Sequence, residues 1–64
     1  MSRFFSPHKN ISKDTIIIDD KTQIHHIRDV LRMNPGDRAI IFDENGNEYD
    51  CVIEKVLNQV VLQI

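Results

Sequence analysis

Three histidines, one cysteine, ten carboxylates and eight lysines or arginines carry the chemistry available to this 64-residue chain. Their spacing favours gripping an anion over making or breaking bonds. Cys51 sits inside an alternating apolar and polar run with no activating base near it in sequence, so it reads as a small core residue rather than a nucleophile. His25 and His26 are adjacent and project about 100° apart on a helix, which denies them the shared metal that an i, i+4 pair can hold. One of the two is expected partly buried and the other in solvent. Asp43, Glu44, Glu48 and Asp50 match neither a calcium loop nor a paired-carboxylate site and read as a solvated turn. By contrast Lys21, His25, Arg28 and Arg32 follow i, i+4, i+7, i+11 spacing, which gathers them on one face of a helix. Arginine adds a planar, bidentate fork that grips phosphate and stacks on bases. Such a stripe suits a polyanion, nucleic acid first of all. A merely solvated face is the alternative, because Asp29 adjoins Arg28. Arg3 is read as a further exposed cation, with Phe4 and Phe5 in the core.

The elements that must hold these residues follow from pattern. A brief strand at Arg3-Phe4-Phe5 leads into a loop from Ser6 to Asn10. Thr15-Ile16-Ile17-Ile18, β-branched and bounded by charges, reads as a central strand. Asp20 followed by Gln23 resembles a capping box and starts a helix. Ile24, Ile27, Val30 and Leu31 recur at helical spacing until Asn34-Pro35-Gly36-Asp37 stops it, with Pro35-Gly36 suited to a type II turn. Arg38 to Phe42 reads as a strand, and Asn45-Gly46 as a type I′ hairpin turn. The return strand runs from Glu48 to about Val56, with Tyr49, Cys51 and Ile53 on one face and Asp50, Val52, Glu54 and Val56 on the other. Val60 to Ile64 forms a last strand whose apolar end reads as a domain boundary within a longer chain, with a natural terminus pinned in the sheet as the alternative. Five strands and one helix in so short a chain predict a mostly β (α+β) fold, a small barrel with the helix at one end or side.

Composition sets the outer limits. Sixty-four residues make one small domain, and about a third of them are Ile, Val, Leu or Phe, enough to fold. A formal net charge of −2 rules out a globally basic nucleic-acid binder and leaves only locally segregated charge for that role. A lone cysteine excludes an internal disulfide, offers no zinc cluster and fits a reducing cytoplasm. No run approaches the roughly 20 apolar residues of a membrane span, and the start lacks a signal-peptide pattern. Asn10-Ile11-Ser12 matches a glycosylation acceptor, which has meaning only in a secreted chain.

Arg3-Phe4-Phe5, His25-His26-Ile27, Val30-Leu31-Arg32-Met33, Pro35-Gly36-Asp37 and the Phe42-Asp43 hairpin together resemble the N-terminal domain of the RsmE family, rRNA methyltransferases acting on N3 of a uridine in small-subunit RNA. The resemblance covers nearly all of this chain. It implies a single PUA-like, RNA-binding β-barrel over residues 1–64, ahead of a larger knotted SPOUT domain that binds S-adenosylmethionine, carries catalysis and forms the homodimer. No catalytic residue, cofactor or metal is then expected within these residues. His26, Val30, Leu31 and Arg32 correspond to the family's helix motif, and Gly36-Asp37 to its turn. Many members carry arginine where this chain has Asp29, and Arg28 projects about 100° from that position. Arg3, Lys21, His25, His26, Arg28 and Arg32 are the expected RNA contacts. A protein-interaction or dimerisation module, offering apolar strand edges to a partner, is the alternative.

Overall fold

A computed structural model describes residues 2–64, with strands β1 (Arg3–Phe5), β2 (Thr15–Ile18), β3 (Arg38–Phe42), β4 (Glu48–Val56) and β5 (Val60–Gln63). Between β2 and β3 lies helix α1 (Lys21–His25), continued by one wide turn over His26–Val30. The strands form a single half-barrel sheet in the order β1-β3-β4-β5-β2. β1 runs parallel to β3, and every other neighbour pair is antiparallel. The mostly β architecture expected from the alternating segments is therefore present. β2 is not central as its apolar run suggests. It forms one edge of the sheet, and its second and fourth residues, Ile16 and Ile18, are buried beside Val60 and Leu62 of β5.

The core is aliphatic. Ile16, Ile18, Ile24, Ile27, Ala39, Ile41, Ile53, Val60 and Leu62 are buried together with Phe4 and Cys51. Alternation along β4 places Cys51 and Ile53 inside, then breaks: Ile53 pairs with Leu62 and Lys55 with Val61, leaving Glu54 as an extra residue. This β-bulge keeps Glu54 and Lys55 outside and returns Val56 to the core side. Strict alternation, which groups Val56 with Asp50 and Val52, fails at that point.

Two polar side chains tie down the open edges. Buried Ser6 donates its hydroxyl to the Ile17 carbonyl at 3.0 Å while its amide bonds Phe42. Gln23 accepts from the Phe5 amide at 2.9 Å and donates to the Phe5 carbonyl at 2.6 Å. Half of the expected capping box is present, since Asp20 accepts from the Gln23 amide at 2.9 Å. The Gln23 side chain instead behaves as a piece of strand against β1.

The hairpin also differs from a type I′ turn. Of its two central residues only Gly46, at φ +84°, has positive φ. Asp43 is buried, not solvated, and its carboxylate accepts the amides of Asn45 at 2.9 Å and Asn47 at 3.0 Å. These bonds draw the loop around one carboxylate and favour a type I turn closed by a left-handed glycine. Burial pushes the Asp43 pKa up, but the N–H donors of Asn47 and Asn45 outweigh it and leave it below the ordinary carboxylate value. The turn at Pro35-Gly36 is as expected: Gly36 has φ +97°, and the Asp37 amide reaches the Asn34 carbonyl at 3.0 Å.

Candidate nucleic-acid interface

The helix that was to carry the cationic stripe is shorter and more irregular than its periodicity implies. After His25 the ladder widens, and the Leu31 amide bonds the His26 carbonyl at 2.8 Å, five residues back. One extra residue in a turn rotates everything after it by about 100°. Ile24 and Ile27 consequently face the core, whereas Val30 and Leu31, expected on the same stripe, are exposed. Arg32 has left the helix and takes φ +52°, the left-handed position that glycine usually fills after a helix. Arg28 and Arg32 therefore do not extend one continuous face.

They meet across a groove instead. Arg28, Arg32, Met33, Pro35, Lys55 and Leu57 line an open cleft of about 450 Å³ between the helix exit and the end of β4. Met33 and Val56, both packed on the core, form its floor. Lys21 and Arg28 share an adjoining hollow at Asn58. Lys21 and Lys55 share a third at Leu57, Asn58 and Gln59. Four cations thus surround the turn between β4 and β5. Lys55 was missed in sequence; its signal is the adjacent pair Glu54-Lys55 between apolar Ile53 and Val56, a break in alternation that marks a bulge.

Asp29 tempers this charge. Its carboxylate takes both the Nε and Nη2 of Arg28 at 3.0 Å and Nδ1 of His25 at 3.0 Å. The hydrogen bond from Arg28 holds the Asp29 pKa below its ordinary value, and the same bond raises that of Arg28. Arg28 Nη1 also reaches the Leu57 carbonyl at 3.3 Å, tying the wide turn to the β4–β5 connection. Glu54, the other acid along the groove, accepts from the Gln63 amide group at 2.8 Å.

Residues 18–64 match the family described as the RNA methyltransferase PUA domain. The chain belongs to that family. Among solved structures, this PUA domain resembles a predicted RNA methyltransferase from Thermotoga maritima, with a TM-score of 0.84 and 25% identity over 100% of this chain and 28% of that one. A ribosomal RNA small subunit methyltransferase E from Neisseria gonorrhoeae, solved bound to S-adenosyl methionine, gives a TM-score of 0.78 and 26% identity over 100% of this chain and 27% of that one. A third structure, of a hypothetical protein, gives 0.83 and 29% identity over 97% of this chain and 28% of that one. The PUA domain thus spans between 27% and 28% of the length of these structures. No curated protein matches its sequence. The family read from the sequence motifs is the family found.

Within the PUA domain the six expected contacts do not form one cluster. Lys21, Arg28 and Arg32 lie around the β4–β5 turn. His25 and His26 are both exposed, neither being packed into the core, and the His26 ring stands edge-on to Phe4 at 6.5 Å. Arg3 is engaged on the outer surface of β1, paired with Glu48 and lying 5.8 Å over the Phe42 ring. Cys51 is buried, and burial pushes its thiol pKa up. No group of three or more His, Cys, Asp or Glu side chains suited to a metal gathers among the described residues. No helix among them is long and apolar enough to cross a membrane.

Proposed function

We propose that this PUA domain is the RNA-binding part of an S-adenosylmethionine-dependent methyltransferase that modifies N3 of a uridine in small-subunit ribosomal RNA. The observation that carries the RNA role is the ring of Lys21, Arg28, Arg32 and Lys55 around the β4–β5 turn, in a chain whose net charge is −2. Cations concentrated against an opposing overall charge mark where a polyanion sits. Chemistry and homodimerisation are assigned to a second, larger domain of the parent protein, which would act in the cytoplasm. The relative solved with S-adenosyl methionine, more than three times the length of this chain, supports that division. The cationic groove itself does not fit the methyl donor, whose sulfonium is positively charged, and no methyl-transfer step is placed on these residues. Arg28, Arg32, Lys21 and Lys55 hold phosphates, while Arg3, His25 and His26 extend the contact along the outer surface.

The test is binding of a small-subunit rRNA fragment to the chain and to its Arg28→Ala/Arg32→Ala variant at low salt. Weak, salt-sensitive binding that falls in the double variant is expected; equal affinity removes this face from RNA recognition. A dimerisation module is the competing reading, favoured by the exposed Val30, Leu31, Leu57 and Ile64. It requires a concentration-dependent dimer in sedimentation and no RNA binding at low salt.

A further inference from the structure

We infer that the groove between the helix exit and β4 receives an unstacked nucleotide of single-stranded RNA, its base against the apolar floor and its phosphates on Arg28, Arg32 and Lys55. This inference rests on the RNA-binding reading and specifies which form of RNA the site takes. Charge alone does not distinguish a duplex from a single strand, but the lining of this groove does. A duplex presents phosphates and 2′-hydroxyls and keeps its base faces stacked inside, so an apolar floor gains nothing from it. A single strand offers base faces, which dock on aromatic or apolar surface while the backbone follows the cations.

Four features converge on this groove. Its floor and walls are apolar: Met33, Pro35, Val56 and Leu57. Leu57 is 67% exposed and leaves its aliphatic side chain open to the groove. The cleft, at about 450 Å³, falls within the size range of small-molecule sites. Finally, the backbone at its border is doubly irregular, with the wide turn ending at Val30 and a left-handed arginine at position 32. Both kinds of irregularity concentrate at functional sites. Here they produce the groove: a regular helix continued through Arg32 would carry that side chain along the helix face instead of turning the chain toward Met33 and Pro35. The charge balance favours an anion: Arg28, Arg32 and Lys55 stand against two acids, Glu54, which is engaged by Gln63, and Asp29, which pairs with Arg28 and yields it to a phosphate on binding.

The test uses the 64-residue chain and three end-labelled probes of equal length: a mixed-sequence single-stranded RNA, the same backbone with abasic riboses, and a blunt RNA duplex. The base-bearing strand is expected to bind about fivefold tighter than the abasic strand, the gain from covering some tens of Å² of apolar surface. Leu57→Asn, at an exposed position outside the core, is expected to bring the base-bearing strand down to the abasic level. Equal binding of base-bearing and abasic strands overturns the inference while leaving the RNA-binding reading in place, as does preferential binding of the duplex. A Leu57→Asn variant that weakens both strands alike also overturns it. Absence of binding to any probe at low salt removes both readings together. Self-association of the chain that Leu57→Asn abolishes, with RNA affinities unchanged, assigns the floor to a protein contact instead.

Discussion

Salt dependence offers a quantitative check on how many cations hold RNA. Four side chains border the β4–β5 turn, Lys21, Arg28, Arg32 and Lys55. Each phosphate neutralised on a single strand releases about 0.7 of a condensed counterion, so the four, once Arg28 exchanges Asp29 for a phosphate, predict a slope of about −2.8 in log affinity against log salt. Raising salt from about 50 to about 200 mM then weakens binding by roughly 50-fold. Arg28→Ala/Arg32→Ala halves the number of contacts, reducing the slope to about −1.4 and the loss over the same interval to roughly sevenfold. Fluorescence anisotropy titrations across a salt series read both values directly. The slope matters more than the affinity, because a substitution that merely loosens the fold lowers affinity without changing the number of ions released. A double variant with the slope of the unmodified chain refutes the assignment of Arg28 and Arg32 to phosphates, whatever happens to its affinity at one salt concentration.

Other substitutions test the scaffold. Ile27 is 0% exposed inside the wide turn, and Ile27→Ala should cost about 2–5 kcal/mol in urea unfolding, a large share of the roughly 3–10 kcal/mol expected for a chain this small; a cost below about 1 kcal/mol would contradict the packing described. Arg32→Gly relieves the left-handed strain and should raise stability by about 0.5–1 kcal/mol, while weakening RNA binding through loss of one charge; a variant that gains neither stability nor loses affinity speaks against both roles. The carboxyls of Asp29, Asp43 and Glu48 have folded pKa values below their ordinary ones, through Arg28, through the amides of the hairpin prevailing over burial, and through Arg3 respectively. The unfolded chain therefore takes up protons first as pH falls, so their stabilisation is complete above the ordinary carboxylate range and disappears as pH drops through the folded values. Thermal melts between neutral and strongly acid pH should show this decline, and Asp43→Asn should flatten it; an acid limb as steep as that of the unmodified chain counts against the buried carboxylate.

What was legible in sequence was legible through local pattern. Alternation and β-branching place Thr15–Ile18, Arg38–Phe42 and Glu48–Val56 as strands with their observed bounds, and Asp20 starts the helix by the cap its side chain makes. Periodicity failed where a single residue was inserted. The wide turn after His25 and the bulge at Glu54 each add one residue to a regular repeat, the first rotating the side chains beyond it by about 100° and the second reversing them. Val30, Leu31 and Val56 all change sides for that reason. The turn type at Asn45-Gly46 was decided by Asp43, whose burial depends on β4 and the loop before β2 rather than on the dipeptide. Of the candidate site, Lys21, Arg28 and Arg32 were visible by spacing along the chain. Lys55 was not, because it joins them only through the sheet, from a strand more than twenty residues away in sequence.

The pairing of the outer strands bears on how the chain avoids associating with itself. β3, β4 and β5 form a meander of consecutive antiparallel neighbours, whereas β1 and β2 pair across long sequence separations, Phe4 with Ile41 and Ile16 with Leu62. Contacts between distant residues form late, so the meander precedes the docking of its two flanks. Until then β3 and β5 each expose an unpaired ladder of N–H and C=O groups, a template for strand addition from another molecule. A single N-terminal stretch, residues 3–18, covers both flanks, and Ser6 and Gln23 fasten it there. That stretch acts as a guard against aggregation at both ends of the sheet; loosening it at Ser6, bonded to both Phe42 and Ile17, weakens both flanks at once, whereas loosening it at Gln23 weakens the β1 side alone.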